Sequence, residues 1–145
     1  MKISQIITEQ YENQDPNRPA DVEENKDGSL LLSWLDNSGR LHRDGDMPAY
    51  IDTVDGTREW YQHGLMHRDG DMPAYVGYDG TQLVFRVWYQ RGNVHRENAP
   101  AVINEDGAVE FWSNGKRYKN IDKWAEQVGM RKHEMLIMKH KLGLD

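Results

Sequence analysis

Apolar and polar residues change rhythm three times along this chain. Over residues 1–12, Ile3, Ile6, Ile7 and Tyr11 recur at helical spacing, which predicts about two turns of amphipathic helix. Residues 13–19 carry Pro16 and Pro19, which resist helix and sheet interior alike, so this stretch reads as a linker. From there to Tyr118 the rhythm is that of short strands, such as Ala74-Tyr75-Val76-Gly77-Tyr78, separated by glycine turns. From Ile121 it becomes helical again: Ile121, Trp124, Ala125 and Val128 share a face, Asp122 is the expected N-cap, and Gly129 the expected stop. Met135, Leu136, Met138 and Leu142 mark a second helix with Lys and Arg on its other side.

The strand region is written as a repeat. Gly39 to Ile51 reads G-R-L-H-R-D-G-D-M-P-A-Y-I, Gly64 to Val76 reads G-L-M-H-R-D-G-D-M-P-A-Y-V, and Gly92 to Ile103 reads G-N-V-H-R-E-N-A-P-A-V-I. A fourth copy from Gly115 keeps only its glycine, and Pro19-Ala20-Asp21-Val22 looks like the tail of an earlier unit. Each unit carries an Asp-Gly (27–28, 55–56, 79–80, 106–107) between extended runs, the strongest short hairpin signal, then an aromatic strand and a second turn at Gly39, Gly64, Gly92 or Gly115. The spacings of these glycines are 25 (39 to 64), 28 (64 to 92) and 23 (92 to 115). The long one comes from Thr81 to Val87, where Leu83, Phe85, Val87 and Tyr89 keep period two, so the insertion lengthens a strand. Two turn signals per period of this length predict a mainly β protein, a single-layer antiparallel meander of stacked β-hairpin repeats. Three segments follow: residues 1–17, a short helix and linker; 18–120, the repeats; 121–145, a helical cap over the open edge of the last hairpin, since bare strand edges invite aggregation.

The recurring W-Y-x-x-G-x-x-H-R-x-x-x-x-P-A, at Trp60 to Ala74 and one residue shorter at Trp88 to Ala101, resembles the MORN-like repeats of tailed phages and large DNA viruses. A variant with one extra residue runs from Trp34 to Ala49. The resemblance covers roughly residues 18–119 and implies hairpins stacked in series that serve as an interaction scaffold. Asp46-Met47 and Asp71-Met72 depart from it, because a single Gly commonly precedes the Pro; the loop is expected to widen there. Met1 to Glu9 is similar to the capsid-targeting peptides of internal head proteins in T-even-like phages, with Ile7-Thr8-Glu9 at the cleavage position. Both resemblances imply a phage source.

Composition narrows the class. The mean hydropathy is −0.90, and five Trp and seven Tyr supply the large apolar areas that a thin aliphatic content does not. There is no Cys, hence no disulfide framework and no thiolate metal site. The amino end is too polar for a secretory signal, and no apolar run approaches the ~20 residues of a membrane helix, so a protein of the host cytoplasm is expected, with packaging in the virion as the alternative. Residues 1–115 hold 20 Asp and Glu against 10 Lys and Arg, whereas residues 116–145 hold 4 against 8. Such asymmetry marks either an interaction surface or simply a solvated acidic sheet with a basic tail.

The residues with chemical potential also have structural roles open to them. His42, His67 and His95 sit at equivalent repeat positions, and two strands per unit place equivalent side chains roughly 10 Å apart. Ligands of one zinc lie about 2 Å from it, so these histidines are expected to pack or hydrogen-bond, with Tyr118 in the fourth unit's His position. His-Arg-Asp at 42–44 and 67–69 matches a kinase catalytic loop in letters alone, and Arg43, Arg68 and Arg96 are expected to pair with acidic neighbours or with carbonyls before Pro48, Pro73 and Pro100. Asp44-Gly45-Asp46 and Asp69-Gly70-Asp71 lack the remaining oxygen ligands of a calcium loop, and His133-Glu134 with His140 does not make a zinc-protease motif. No cofactor and no catalytic residue is assigned.

The expected function is non-enzymatic: a phage accessory protein that binds and inhibits a host protein, a defence or restriction enzyme, through the repeat sheet. Partner contacts are assigned to Trp60, Tyr61, Trp88 and Tyr89, as half-exposed aromatics of a single-layer sheet, and to Asp69 and Asp71 on the bend. No membrane contact is expected, and the acidic balance opposes direct nucleic-acid binding. Homo-oligomerisation stays open. The alternatives are a structural part of the virion and an acidic nucleic-acid mimic that meets a basic host partner.

Overall fold

The computed structural model describes residues 19–145. The expected helix over Ile3 to Tyr11 and the Ile7-Thr8-Glu9 match lie outside them. Among the described residues there are thirteen short strands: β1 (Asp21–Glu24), β2 (Leu30–Ser33), β3 (Tyr50–Asp52), β4 (Arg58–Glu59), β5 (Tyr61–Gln62), β6 (Leu65–Met66), β7 (Tyr75–Asp79), β8 (Gln82–Val87), β9 (Tyr89–Gln90), β10 (Asn93–Val94), β11 (Val102–Asn104), β12 (Val109–Ser113) and β13 (Lys116–Tyr118). Nine of them form one sheet in the order β1-β2-β3-β4-β7-β8-β11-β12-β13, every neighbour antiparallel. The hairpins at Asp55-Gly56, Asp79-Gly80, Asp106-Gly107 and Asn114-Gly115 fall in this meander as the turn dipeptides predict.

The turns at His63-Gly64 and Arg91-Gly92 do something different. They close two separate ribbons, β5 with β6 and β9 with β10. The chain leaves the main sheet at an indole: Trp60 N–H donates to the Ala74 carbonyl inside the sheet, while the Trp60 carbonyl accepts from His67 N–H in the ribbon. Trp88 repeats this with Ala101 and His95. The insertion at residues 81–87 does lengthen a strand, giving the six-residue β8. Its register with β7 shifts between Gly77 and Tyr78, so the period-two face holds from Phe85 onward and is interrupted at Leu83.

Extending the strand registers by one residue brings Ala20, Trp34, Ala49, Trp60, Ala74, Trp88, Ala101 and Phe111 into a single row across the sheet. Large and small side chains alternate along it, and Ala49, Ala74 and Ala101 are fully buried. This explains Ala49, Ala74 and Ala101 after their prolines: a methyl group is what fits between two flanking aromatic rings. Ala74→Leu is therefore expected to cost at least about 1 kcal/mol by overpacking, read in a denaturant titration. An unchanged midpoint would show that the row has slack.

Two helices close the array, α1 (Ile121–Gln127) and α2 (Lys132–Leu142). Asn120, rather than Asp122, caps α1: its Oδ1 accepts from Lys123 N–H at 3.0 Å, and Asp122 falls inside the first turn. Gly129 ends the helix as expected, with a positive φ of 72°. Trp124 is fully buried, its ring 4.8 Å from that of Phe111 and its Nε1 donating to the Trp112 carbonyl at 3.2 Å. Met135 and Met138 join this cluster, whereas Leu136 and Leu142 of the expected apolar face remain exposed. The helices thus pack on the Phe111 side of the last hairpin, over its face rather than along the β13 edge. No helix among the described residues is long and apolar enough to cross a membrane.

Candidate functional site

The repeat motif builds a ledge along one side of the sheet. Arg43, Arg68 and Arg96 lay their guanidinium groups 3.8, 3.8 and 3.9 Å from the ring centres of Trp34, Trp60 and Trp88. Each also donates through Nη1 to the carbonyl of its own unit's proline, Pro48, Pro73 or Pro100, at 3.1–3.2 Å. The remaining donors reach into the preceding unit. Arg68 forks onto both oxygens of Asp46 at 2.8 and 3.1 Å, and Arg96 onto both oxygens of Asp71 at 2.8 and 3.0 Å. The fork from Arg68 holds the Asp46 carboxyl below the usual carboxylate range.

The Asp-Met departure has a definite geometry. Gly45 and Asp46 both take positive φ, 74° and 53°, as do Gly70 and Asp71, and this aims the aspartate at the next unit's arginine. Backbone carbonyls of the same residues accept the indole N–H of Trp60 (3.1 Å) and Trp88 (3.0 Å). The third unit has the shorter Glu97-Asn98 loop without such an aspartate, and the fourth has Lys119 in place of arginine. Both halves of the fork are lost together.

The histidines also join units. Nδ1 of His42, His67 and His95 accepts the backbone N–H of His63, Arg91 and Asn114, at 3.2, 3.1 and 3.0 Å. These three residues have positive φ, 47–49°, and each precedes the glycine of a tight primed turn, so the imidazole holds a strained non-glycine position in the neighbouring hairpin. An accepting Nδ1 assigns the ring proton to Nε2, which points at Asp44, Asp69 or Glu97 at 3.0–3.3 Å. Both ring nitrogens are occupied by protein groups. Among the described residues no three His, Asp or Glu side chains gather as a metal ion requires.

This placement sorts the sequence-assigned contacts. Trp60 and Trp88 are 8% and 6% exposed beneath their arginines, and Asp71 is engaged by Arg96. Asp69 keeps 83% of its side chain in solvent beside His67. Tyr61 and Tyr89, half-buried, follow the buried indoles and therefore point to the opposite face.

There they meet residues that the repeat alignment did not single out. Glu59 lies directly between Tyr50 of β3 and Tyr75 of β7 in the strand registers, and its Oε2 accepts from Tyr61 Oη at 2.7 Å. Burial raises the pKa values of Tyr50, Tyr61, Tyr75 and Tyr89 above the ordinary phenol value, and the Glu59 carboxylate adds to the shift at all four. The signal in the sequence was modest: Tyr50 and Tyr75 each follow a Pro-Ala, and Glu59 and Tyr61 flank Trp60 at period two. At the far end of the same face, Glu110 accepts the Trp112 indole N–H at 2.8 Å. Tyrosines around a central carboxylate can take up flat apolar groups and cations together. Comparison with protein-family models, with curated proteins and with solved structures gives no match to this chain.

Proposed function

We propose that this chain is a non-enzymatic accessory protein of a tailed phage, a MORN-like repeat scaffold that binds and inhibits a host defence or restriction enzyme. The observation that carries the binding role is the tyrosine face: Tyr50, Tyr61, Tyr75 and Tyr89, half-buried around Glu59, with the helices packed against the other side. Tyrosine offers large contact area at small entropic cost, and interface energy concentrates in such residues. The conspicuous His, Arg and Trp of the motif are engaged in joining one unit to the next, which supports a structural role for them.

Capture of a partner from host lysate by the immobilised protein tests this reading. Tyr89→Ala is expected to lower the captured amount at least tenfold under conditions where circular dichroism shows the variant still folded, while Asp69→Lys leaves capture intact. Retention by both Tyr61→Ala and Tyr89→Ala would remove the tyrosine face from the interface. A partner released by high salt and by Asp69→Lys would favour the acidic nucleic-acid mimic instead.

A further inference from the structure

The fourth unit completes what the second unit leaves half made. In the fourth, Glu110 receives the Trp112 indole N–H on Oε2, and its Oε1 lies 3.0 Å from Nη2 of Arg117. Arg117 stands across the hairpin from Trp112. In the second unit Glu59 receives the Tyr61 hydroxyl on Oε2 in the same way, from an aromatic residue two positions along the chain. The residue across the hairpin from Tyr61 is Met66, which carries no charge. In the third unit the corresponding residues are Val87 and Val94, so acid and base are both missing. Only the second unit has the carboxylate without its cation, and among the described residues Glu59 forms no ion pair.

We infer that Glu59 is the receptor for an arginine side chain of the partner protein, its guanidinium taking at Oε1 the place that Arg117 takes at Glu110. This rests on the tyrosine face being the interface, and it names the chemistry recognised there. Arginine suits the site better than lysine. Its planar group matches a carboxylate edge and stacks on aromatic rings, and Tyr50 and Tyr75 flank Glu59 in the adjacent strands. The chain already combines the same three elements in its own ledge, where Arg68 and Arg96 lie over indoles and fork onto aspartates. Asp52 and Asp55, which also act on Tyr50, add negative potential and no cation.

The test uses the whole protein and a fluorescein-labelled peptide of alternating arginine and valine, followed by anisotropy, with a lysine–valine peptide alongside. The arginine peptide is expected to bind saturably and more tightly than its lysine counterpart. Glu59→Gln should weaken it at least tenfold. Met66→Arg should do the same while keeping or raising the melting temperature, because it supplies the missing cation from within. Glu126→Gln, on α1, should bind as the unmodified protein does. Equal binding by Glu59→Gln, or an equal loss in Glu126→Gln, overturns the arginine receptor. If Tyr89→Ala abolishes lysate capture and yet no arginine peptide binds, the inference fails and the tyrosine face stands. If the peptide binds as expected and lysate yields no partner, the receptor stands and host inhibition fails.

Discussion

Replacing Trp124 by alanine is expected to destabilise the protein by about 3–5 kcal/mol, the largest loss of any single truncation here. The indole is fully buried, lies tilted against Phe111 with 4.8 Å between ring centres, and donates a hydrogen bond to the Trp112 carbonyl. Its place in the architecture raises the stakes. Trp34, Trp60 and Trp88 are each roofed by the arginine of their own unit, but the fourth unit has Lys119 in that position and Phe111 has no such arginine. Trp124 roofs Phe111 instead, so its loss opens the end of the row that the whole sheet shares. A denaturant titration followed by tryptophan fluorescence and far-ultraviolet circular dichroism reads the effect. Loss of helix alone, with the sheet transition unmoved, would show that the array does not depend on its cap.

Arg68→Ala is expected to cost about 3 kcal/mol, combining hydrogen bonds to a charged group with a stacked cation. The side chain is 12% exposed and holds Asp46, the Pro73 carbonyl and the Trp60 ring at once. Asp46 is 61% exposed, so Asp46→Ala alone should cost less than the arginine change. The double variant should then lose less than the sum, and that difference isolates the fork between units. Arg68→Lys is expected to recover only part of the loss, since a point charge cannot span both oxygens. Strict additivity of the two alanine changes would mean that the fork contributes nothing to stability.

The fold was legible in the sequence because its signals are local. Asp-Gly and Asn-Gly turns, period-two runs and a fixed repeat each require only neighbouring residues, and the nine-stranded meander follows from them. That each arginine would bond a carbonyl beside the proline was legible for the same reason, but the acceptor is the carbonyl of Pro48, Pro73 or Pro100 itself and not one before it. Two matters were not. The bend at Trp60 and Trp88 depends on where the ladder hydrogen bonds change partner, and no residue type announces that. The tyrosine face arises from side chains on five different strands, and Tyr50, Glu59 and Tyr75 at its centre gather across registers only once the sheet exists. The N-cap slipped from Asp122 to Asn120 for a simpler reason: both residue types cap well, and the start of the helix decides between them.

The forks between units also govern how such an array can change its length. An inner unit carries an arginine that looks backward and an aspartate that looks forward, Arg68 and Asp71 in the second. A duplicate of that unit placed beside the original would find both of its contacts waiting, and the new junction would repeat an old one. A unit appended after the third would meet Asn98 and a shorter loop, with nothing to receive its arginine. Growth by gene duplication is thus favoured in the middle of the chain and blocked at its carboxyl end. The ends can diverge as caps while the interior stays interchangeable.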